Sequence, residues 1–134
     1  MSAGKSILYI EDNFDNRMLV RRLLEHEGFL VLEAENAHQA LDLLQSNIPD
    51  LILMDINMPE IDGYTLTRQI KSTSSTSQIP VIALTANVMR GDKERTLRAG
   101  CDGYIEKPID IDTFIEQIYQ FLNGNGLNSY EHHA

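Results

Sequence analysis

A chain of 134 residues is the length of one domain with one core, and 43% hydrophobic content is ordinary for a globular protein. A formal net charge of −9 opposes unaided binding to nucleic acid and favours basic partners and cations. No apolar run is long enough to span a bilayer, no signal-peptide pattern opens the chain, and the lone Cys101 has no partner for an internal disulfide. A cytoplasmic protein without membrane insertion is therefore expected.

Ile7-Leu8-Tyr9-Ile10 is a short apolar run that reads as a buried strand. Glu11-Asp12-Asn13 follows it. A helix is predicted from about Asp15 to Glu27, with Leu19, Val20, Leu23 and Leu24 at helical spacing and Gly28 as the stop. Leu30 to Ala34 is the second strand. Asn36 can cap a helix whose Ala37, Ala40, Leu41 and Leu44 share a face. Leu51 to Met54 is the third strand and runs into Asp55. Gly63 to about Lys71 is a third helix, and Ser72 to Ser77 is a polar, flexible linker. Val81 to Leu84 is the fourth strand. Asp92 can cap a short helix to Gly100, and Gly103-Tyr104-Ile105 is the fifth strand. Ile111, Phe114, Ile115, Ile118 and Leu122 give the most regular amphipathic helix in the chain. From Gly124 the composition turns Asn/Gly-rich and polar, so residues 124–134 are expected to be a flexible tail. The Glu131-His132-His133 ending suggests the remnant of an expression tag.

Five alternations of strand and helix, each about 20–25 residues long, match minimal βαβ units. Nearly continuous apolar strands imply a parallel sheet covered on both faces by helices, an α/β doubly wound fold. In the flavodoxin-like strand order 2-1-3-4-5, ligands bind beyond the carboxyl ends of the strands, where the order reverses between strands one and three. The sequence delivers Glu11 and Asp12 to that edge from strand one and Asp55 from strand three. Thr85, Ala86 and Asn87 arrive from strand four, and Glu106 and Lys107 from strand five.

Three carboxylates gathered there would repel one another, and a bound cation removes the conflict. Oxygen-only ligands select a hard ion such as Mg²⁺. Asp55 can then attack phosphorus to give a carboxyl phosphate, with the Lys107 ammonium neutralising charge and the Thr85 hydroxyl donating to a phosphoryl oxygen.

These residues carry a family resemblance. Four motifs are involved: Glu11-Asp12-Asn13; Leu53 to Pro59 with Asp62-Gly63; Ala83-Leu84-Thr85-Ala86; and Gly103 to Pro108. Together they resemble the receiver domain of two-component response regulators over residues 6–123, most closely the single-domain receivers and those attached to hybrid histidine kinases. The resemblance implies a CheY-like fold and a phosphorylation-activated switch. Asp55 would take a phosphoryl group from a histidine kinase or histidine phosphotransfer protein. Glu11, Asp12, Asp55 and the backbone carbonyl of Asn57 would hold Mg²⁺. Thr85 and Lys107 would contact the phosphoryl oxygens, and the domain would assist its own phosphorylation and dephosphorylation. Lys107-Pro108 would be a cis peptide. Tyr104 would be the aromatic switch residue, turning inward as Thr85 moves, so that the surface of the fourth helix, fifth strand and fifth helix changes its preference for a downstream protein. Asn57 and Asn87 would tune the lifetime of the phosphate.

Two other chemistries fit the residues less well. A haloacid-dehalogenase-type phosphatase also uses an aspartate nucleophile and Mg²⁺, but it needs a second aspartate two residues later as general acid/base. Asn57 stands there and cannot move a proton in that role. A P-loop nucleotide binder is excluded, because no Gly-x-x-x-x-Gly-Lys-[Ser/Thr] run occurs. Cys101 reads as a small apolar filler, and His26 and His38 as surface residues without metal-ligand spacing. The start at Met1 favours a natural N-terminus. The sequence fits both a complete single-domain regulator and a receiver within a larger protein.

Overall fold

The computed structural model describes residues 4–57, 62–86 and 92–124, with no side-chain detail at positions 92 and 93. Met58, Pro59, Asn87, Met89 and the tail from position 125 lie outside the described residues. The elements run β1 (Ser6–Ile10), α1 (Phe14–His26), β2 (Leu30–Ala34), α2 (Ala37–Leu44) and β3 (Leu51–Asp55). They continue with α3 (Gly63–Ser72), β4 (Val81–Thr85), α4 (Asp92–Ala99), β5 (Gly103–Glu106) and α5 (Ile111–Leu122). All strand pairs are parallel, in the order β2-β1-β3-β4-β5. The flavodoxin-like, doubly wound arrangement expected from the alternation is the one observed.

Side-chain alternation along the strands divides the core in two. Ile7, Tyr9, Leu51, Leu53, Ile82, Leu84 and Ile105 pack against α1 and α5 through Val20, Leu24, Phe114, Ile118 and Phe121. Leu8, Ile10, Ile52, Met54, Val81 and Ala83 face α2 and α3 on the other side, with Ala99 and Cys101 closing that layer. Each fully buried Leu, Ile or Phe contributes on the order of 1.5–3 kcal/mol, so the two-layer burial is what holds the sheet between its helices.

Caps place the helix starts. The side chains of Asn13, Asn36 and Asp62 accept from the backbone N–H groups of Asn16, Gln39 and Thr65, at 2.9, 2.9 and 2.8 Å. Asp110 caps α5 through the Asp112 N–H at 3.0 Å. Each such cap is worth about 1 kcal/mol.

Four expectations shift. The Ser/Thr stretch is a folded turn and not a flexible linker: Thr76 is buried, and its hydroxyl donates to the Ile70 carbonyl at 2.6 Å. Lys71 anchors the same turn, its ammonium donating to the Ile79 carbonyl at 2.8 Å and to Asp102 at 2.6 Å. Asp92 is already helical and does not precede α4 as a cap. Leu19 and Ile111, assigned to buried helix faces, are exposed, as is Leu30 on the edge strand β2. Their helices turn only a narrow stripe to the sheet, and both residues fall beside it.

Candidate functional site

The carboxyl ends of β1, β3, β4 and β5 meet at one edge of the sheet. Ile10 pairs with Met54, Asp55 with Leu84, and Thr85 with Glu106. These registers bring Glu11 and Asp12, just past β1, beside Asp55 at the end of β3. One carboxylate oxygen from each of Glu11, Asp12 and Asp55 lies within 4.8 Å of the others. Lys107 enters from the β5 end, its Nζ 2.9 Å from Asp55 Oδ1 and 4.0 Å from Glu11 Oε1. The Lys107 backbone N–H donates to the Thr85 carbonyl at 2.8 Å, which ties the lysine loop to the end of β4. Lys107-Pro108 is a cis peptide, as the resemblance implies.

Glu11 and Asp55 are both buried, whereas Asp12 is exposed. Burial pushes the Glu11 carboxyl above the ordinary carboxylate range, and a hydrogen bond with Asp55 and that group's charge push it further. The Asn13 N–H, at 3.2 Å from Glu11 Oε2, and the Lys107 charge act the other way. Asp55 Oδ1 also accepts from the Asn57 N–H at 3.1 Å. Two buried carboxylates beside an exposed third, all oxygen donors, form a site that a hard divalent cation fits: it would supply the positive charge that one lysine does not fully provide.

A family profile for the response regulator receiver domain matches residues 7–119. The chain belongs to the receiver domains of two-component response regulators. As a receiver it is 45% identical over 118 residues to the polar-differentiation response regulator DivK of Brucella anthropi, covering 88% of this chain and 96% of that protein. Its fold is similar to the receiver domain of sensor histidine kinase PA1611 from Pseudomonas aeruginosa PAO1. That structure superposes at TM-score 0.81 and 36% identity over 91% of this chain and 99% of the other, and was solved with a magnesium ion in its active-site cleft. The receiver domain of a signal transduction histidine kinase from Syntrophus aciditrophicus matches at TM-score 0.83 and 33% identity, over 90% and 92% of the two chains. The protein is thus a signalling domain of two-component systems, and no helix among its described residues is long and apolar enough to cross a membrane.

The receiver brings Glu11, Asp12, Asp55 and Lys107 into one pocket. Thr85 is buried at the end of β4, one residue beyond the register partner of Asp55. Asn57 is exposed just past Asp55, and Tyr104 is half-buried on β5 against the α2/α3 layer. Two further residues shape the pocket. The Tyr9 hydroxyl donates to Glu11 Oε1 at 3.3 Å, and burial beside Glu11 holds it above its ordinary pKa, so it stays a donor. Arg17 is buried, and its Nη1 donates to the Glu11 carbonyl at 2.9 Å. Both had a signal in the sequence. Tyr9 lies two residues before Glu11, on the same side of the strand. Arg17 shares the helix face of Val20 and Leu24, a position that otherwise calls for an apolar side chain.

Proposed function

We propose that Asp55 is the phosphoacceptor of a cytoplasmic phosphorelay, charged by a phosphohistidine on a histidine kinase or histidine phosphotransfer protein. The observation that carries this reading is the Lys107 ammonium 2.9 Å from a buried Asp55 flanked by two more carboxylates. Glu11, Asp12 and Asp55, with the Asn57 carbonyl, would hold Mg²⁺, the ion in the cleft of the Pseudomonas relative. When bound, Mg²⁺ supplies charge neutralisation for the phosphoryl oxygens. An Asp55 carboxylate oxygen forms the new bond to phosphorus as the phosphorus–nitrogen bond of the donor breaks and the imidazole leaves. Lys107 and the Thr85 hydroxyl meet the phosphoryl oxygens, and Tyr9 keeps Glu11 oriented. The receiver spans residues 6–123 and the tail residues 124–134. Its output is a change in affinity for a downstream protein, through Thr85, Tyr104 and the surface of α4, β5 and α5.

The test is incubation with acetyl phosphate and Mg²⁺, followed by intact-mass measurement. One added phosphoryl group is expected, and none on Asp55→Asn. Full labelling of that variant would overturn the assignment, as would steady turnover of p-nitrophenyl phosphate, which belongs to a phosphatase.

A further inference from the structure

β1 carries a tyrosine where the strand residues beside it are aliphatic. Ile7 and Tyr9 point to the same side of the sheet, in one layer with Leu51, Leu53 and Leu84, and Tyr9 is fully buried. An isoleucine or valine in its place would fill that layer without a polar tip. The phenol is longer, and its hydroxyl reaches Glu11 Oε1 at 3.3 Å, two residues further along the same face. Tyr9 and Glu11 border a cavity of about 420 Å³ whose other walls include Leu19, Val20, Leu84 and Ile109, side chains that offer a phenol no acceptor. The carboxylate is therefore what the tyrosine reaches for.

Glu11 is thereby pinned at both oxygens. The Asn13 N–H donates to Oε2 at 3.2 Å while Tyr9 holds Oε1. Divalent cations differ in what they ask of such a carboxylate. Mg²⁺ takes about six oxygens in a tight octahedron at about 2.0–2.1 Å and keeps several waters, so one oxygen from each carboxylate suffices. Ca²⁺ takes about six to eight oxygens at about 2.3–2.6 Å and readily accepts both oxygens of one carboxylate. We propose that Tyr9 is a specificity-determining residue of the cation site: by holding Glu11 Oε1 it keeps Glu11 from turning both oxygens to one ion, and so selects Mg²⁺ over Ca²⁺. Tyr9 touches no reacting atom and acts through Glu11, so it is a positioning residue. An uncharged donor suits that task. A second ammonium at this place would compete with the cation for the carboxylates, as Lys107 does from 2.9 Å at Asp55 and 4.0 Å at Glu11, whereas a phenol orients Glu11 and adds no charge.

This inference rests on the acidic pocket holding a divalent cation, and the experiment separates the two. Calorimetric titration of the full chain with Mg²⁺ and with Ca²⁺ gives an affinity ratio for wild type, Tyr9→Phe and Tyr119→Phe. Tyr119, on α5, donates to Glu27 at 3.0 Å, so its variant loses the same oxygen atom outside the acidic pocket. Tyr9→Phe should lower the preference for Mg²⁺ over Ca²⁺ by about tenfold, chiefly through weaker Mg²⁺ binding. That is the low end of the effect of removing a group that orients a metal ligand, because a bond of 3.3 Å is long for a hydroxyl donor. Tyr119→Phe should keep the wild-type ratio. Near-ultraviolet difference spectra test the same claim on the wild type alone, since the chain has five tyrosines and no tryptophan. Ca²⁺ should perturb a tyrosine band that Mg²⁺ leaves in place, and the contrast between the two ions should vanish in Tyr9→Phe. An unchanged ratio, equal losses for both ions, or matching Ca²⁺ and Mg²⁺ spectra in the wild type would each overturn the proposal and leave Tyr9 as a core residue with a satisfied hydroxyl. Absence of calorimetric binding of either ion to the wild type would overturn the cation site itself, and the role of Tyr9 with it.

Discussion

Gly63 rests on Ile56 with no room for a side chain. A Cβ at Gly63 would stand 2.9 Å from the Ile56 Cα and 3.2 Å from the Asp55 carbonyl oxygen, and the Gly63 N–H donates to the Ile56 carbonyl at 3.1 Å. The start of α3 is therefore seated on the backbone that carries Asp55. Because the clash is with backbone, it cannot be relieved by a rotamer change. Gly63→Ala should lower stability by about 1–3 kcal/mol in urea unfolding and slow the labelling of Asp55. A wild-type midpoint with wild-type labelling would mean that the helix start moves freely.

Arg17 should matter beyond its charge. Its Nη1 holds the Glu11 carbonyl at 2.9 Å, and its Nε and Nη2 lie 3.6 Å from Glu33 and 3.2 Å from Glu35. Glu35 is exposed and contributes little, so the backbone bond dominates. Arg17→Met keeps the packing volume but strands a buried carbonyl, at a cost of about 1–3 kcal/mol. The turn carrying Glu11 and Asp12 should loosen, and calorimetric titration should find weaker Mg²⁺ binding. A variant that is less stable but binds Mg²⁺ as wild type would confine Arg17 to the fold.

How far the sequence is legible follows from which physics is local. Strand positions, the cap Asn36, and the polar residues that follow four of the five strands at one sheet edge depend on runs and spacings within a few residues, and they stand in the structure as read. The Ser/Thr stretch misleads because its composition is that of a linker. Its order comes from Thr76 reaching back to Ile70 and from Lys71 reaching Asp102, and contacts across 31 residues leave no local trace. Leu19 and Ile111 mislead for the converse reason: helical periodicity gives a face, but packing against the sheet decides how wide a stripe of that face is covered, and both residues stay exposed. Within the site, Glu11, Asp12, Asp55 and Lys107 come together because parallel strands end at one edge. Tyr9 escapes notice because it resembles core filling until its partner atom is known, and Arg17 because a charge on an apolar helix face does not by itself name the Glu11 carbonyl as its partner.

Glu11 gives the protein a pH dependence of definite sign. Burial, then the hydrogen bond and charge of Asp55, push its carboxyl up to about 7, against 4.5 for the free group. Without cation, the folded state keeps a proton in that interval that the unfolded state has released. The contribution to stability is therefore fully present below the lower value and lost as pH rises through the upper one. Urea midpoints in chelator should show this loss between about pH 5 and about pH 7.5, and Glu11→Gln should lack it. Mg²⁺ favours the ionised carboxylate, so its stabilisation of the wild type should be larger at the alkaline end. Parallel pH profiles for wild type and variant would remove Glu11 as the source.

Lys107 separates two roles that a single loss of labelling would confuse. Its Nζ is 2.9 Å from Asp55 Oδ1 and 4.0 Å from Glu11, so it competes with any cation for the same carboxylate oxygens while offering charge to an incoming phosphoryl group. Lys107→Ala removes both effects. If the lysine's work is on the phosphoryl oxygens, labelling by acetyl phosphate should slow by about tenfold or more, in line with the loss of one preorganised donor at a developing charge. Mg²⁺ affinity should meanwhile hold or rise, since a competing cation has gone and three carboxylates remain. A parallel fall in Mg²⁺ affinity and labelling would instead mean that Lys107 keeps the pocket assembled, with the loop that its backbone ties to Thr85 as the element that gives way.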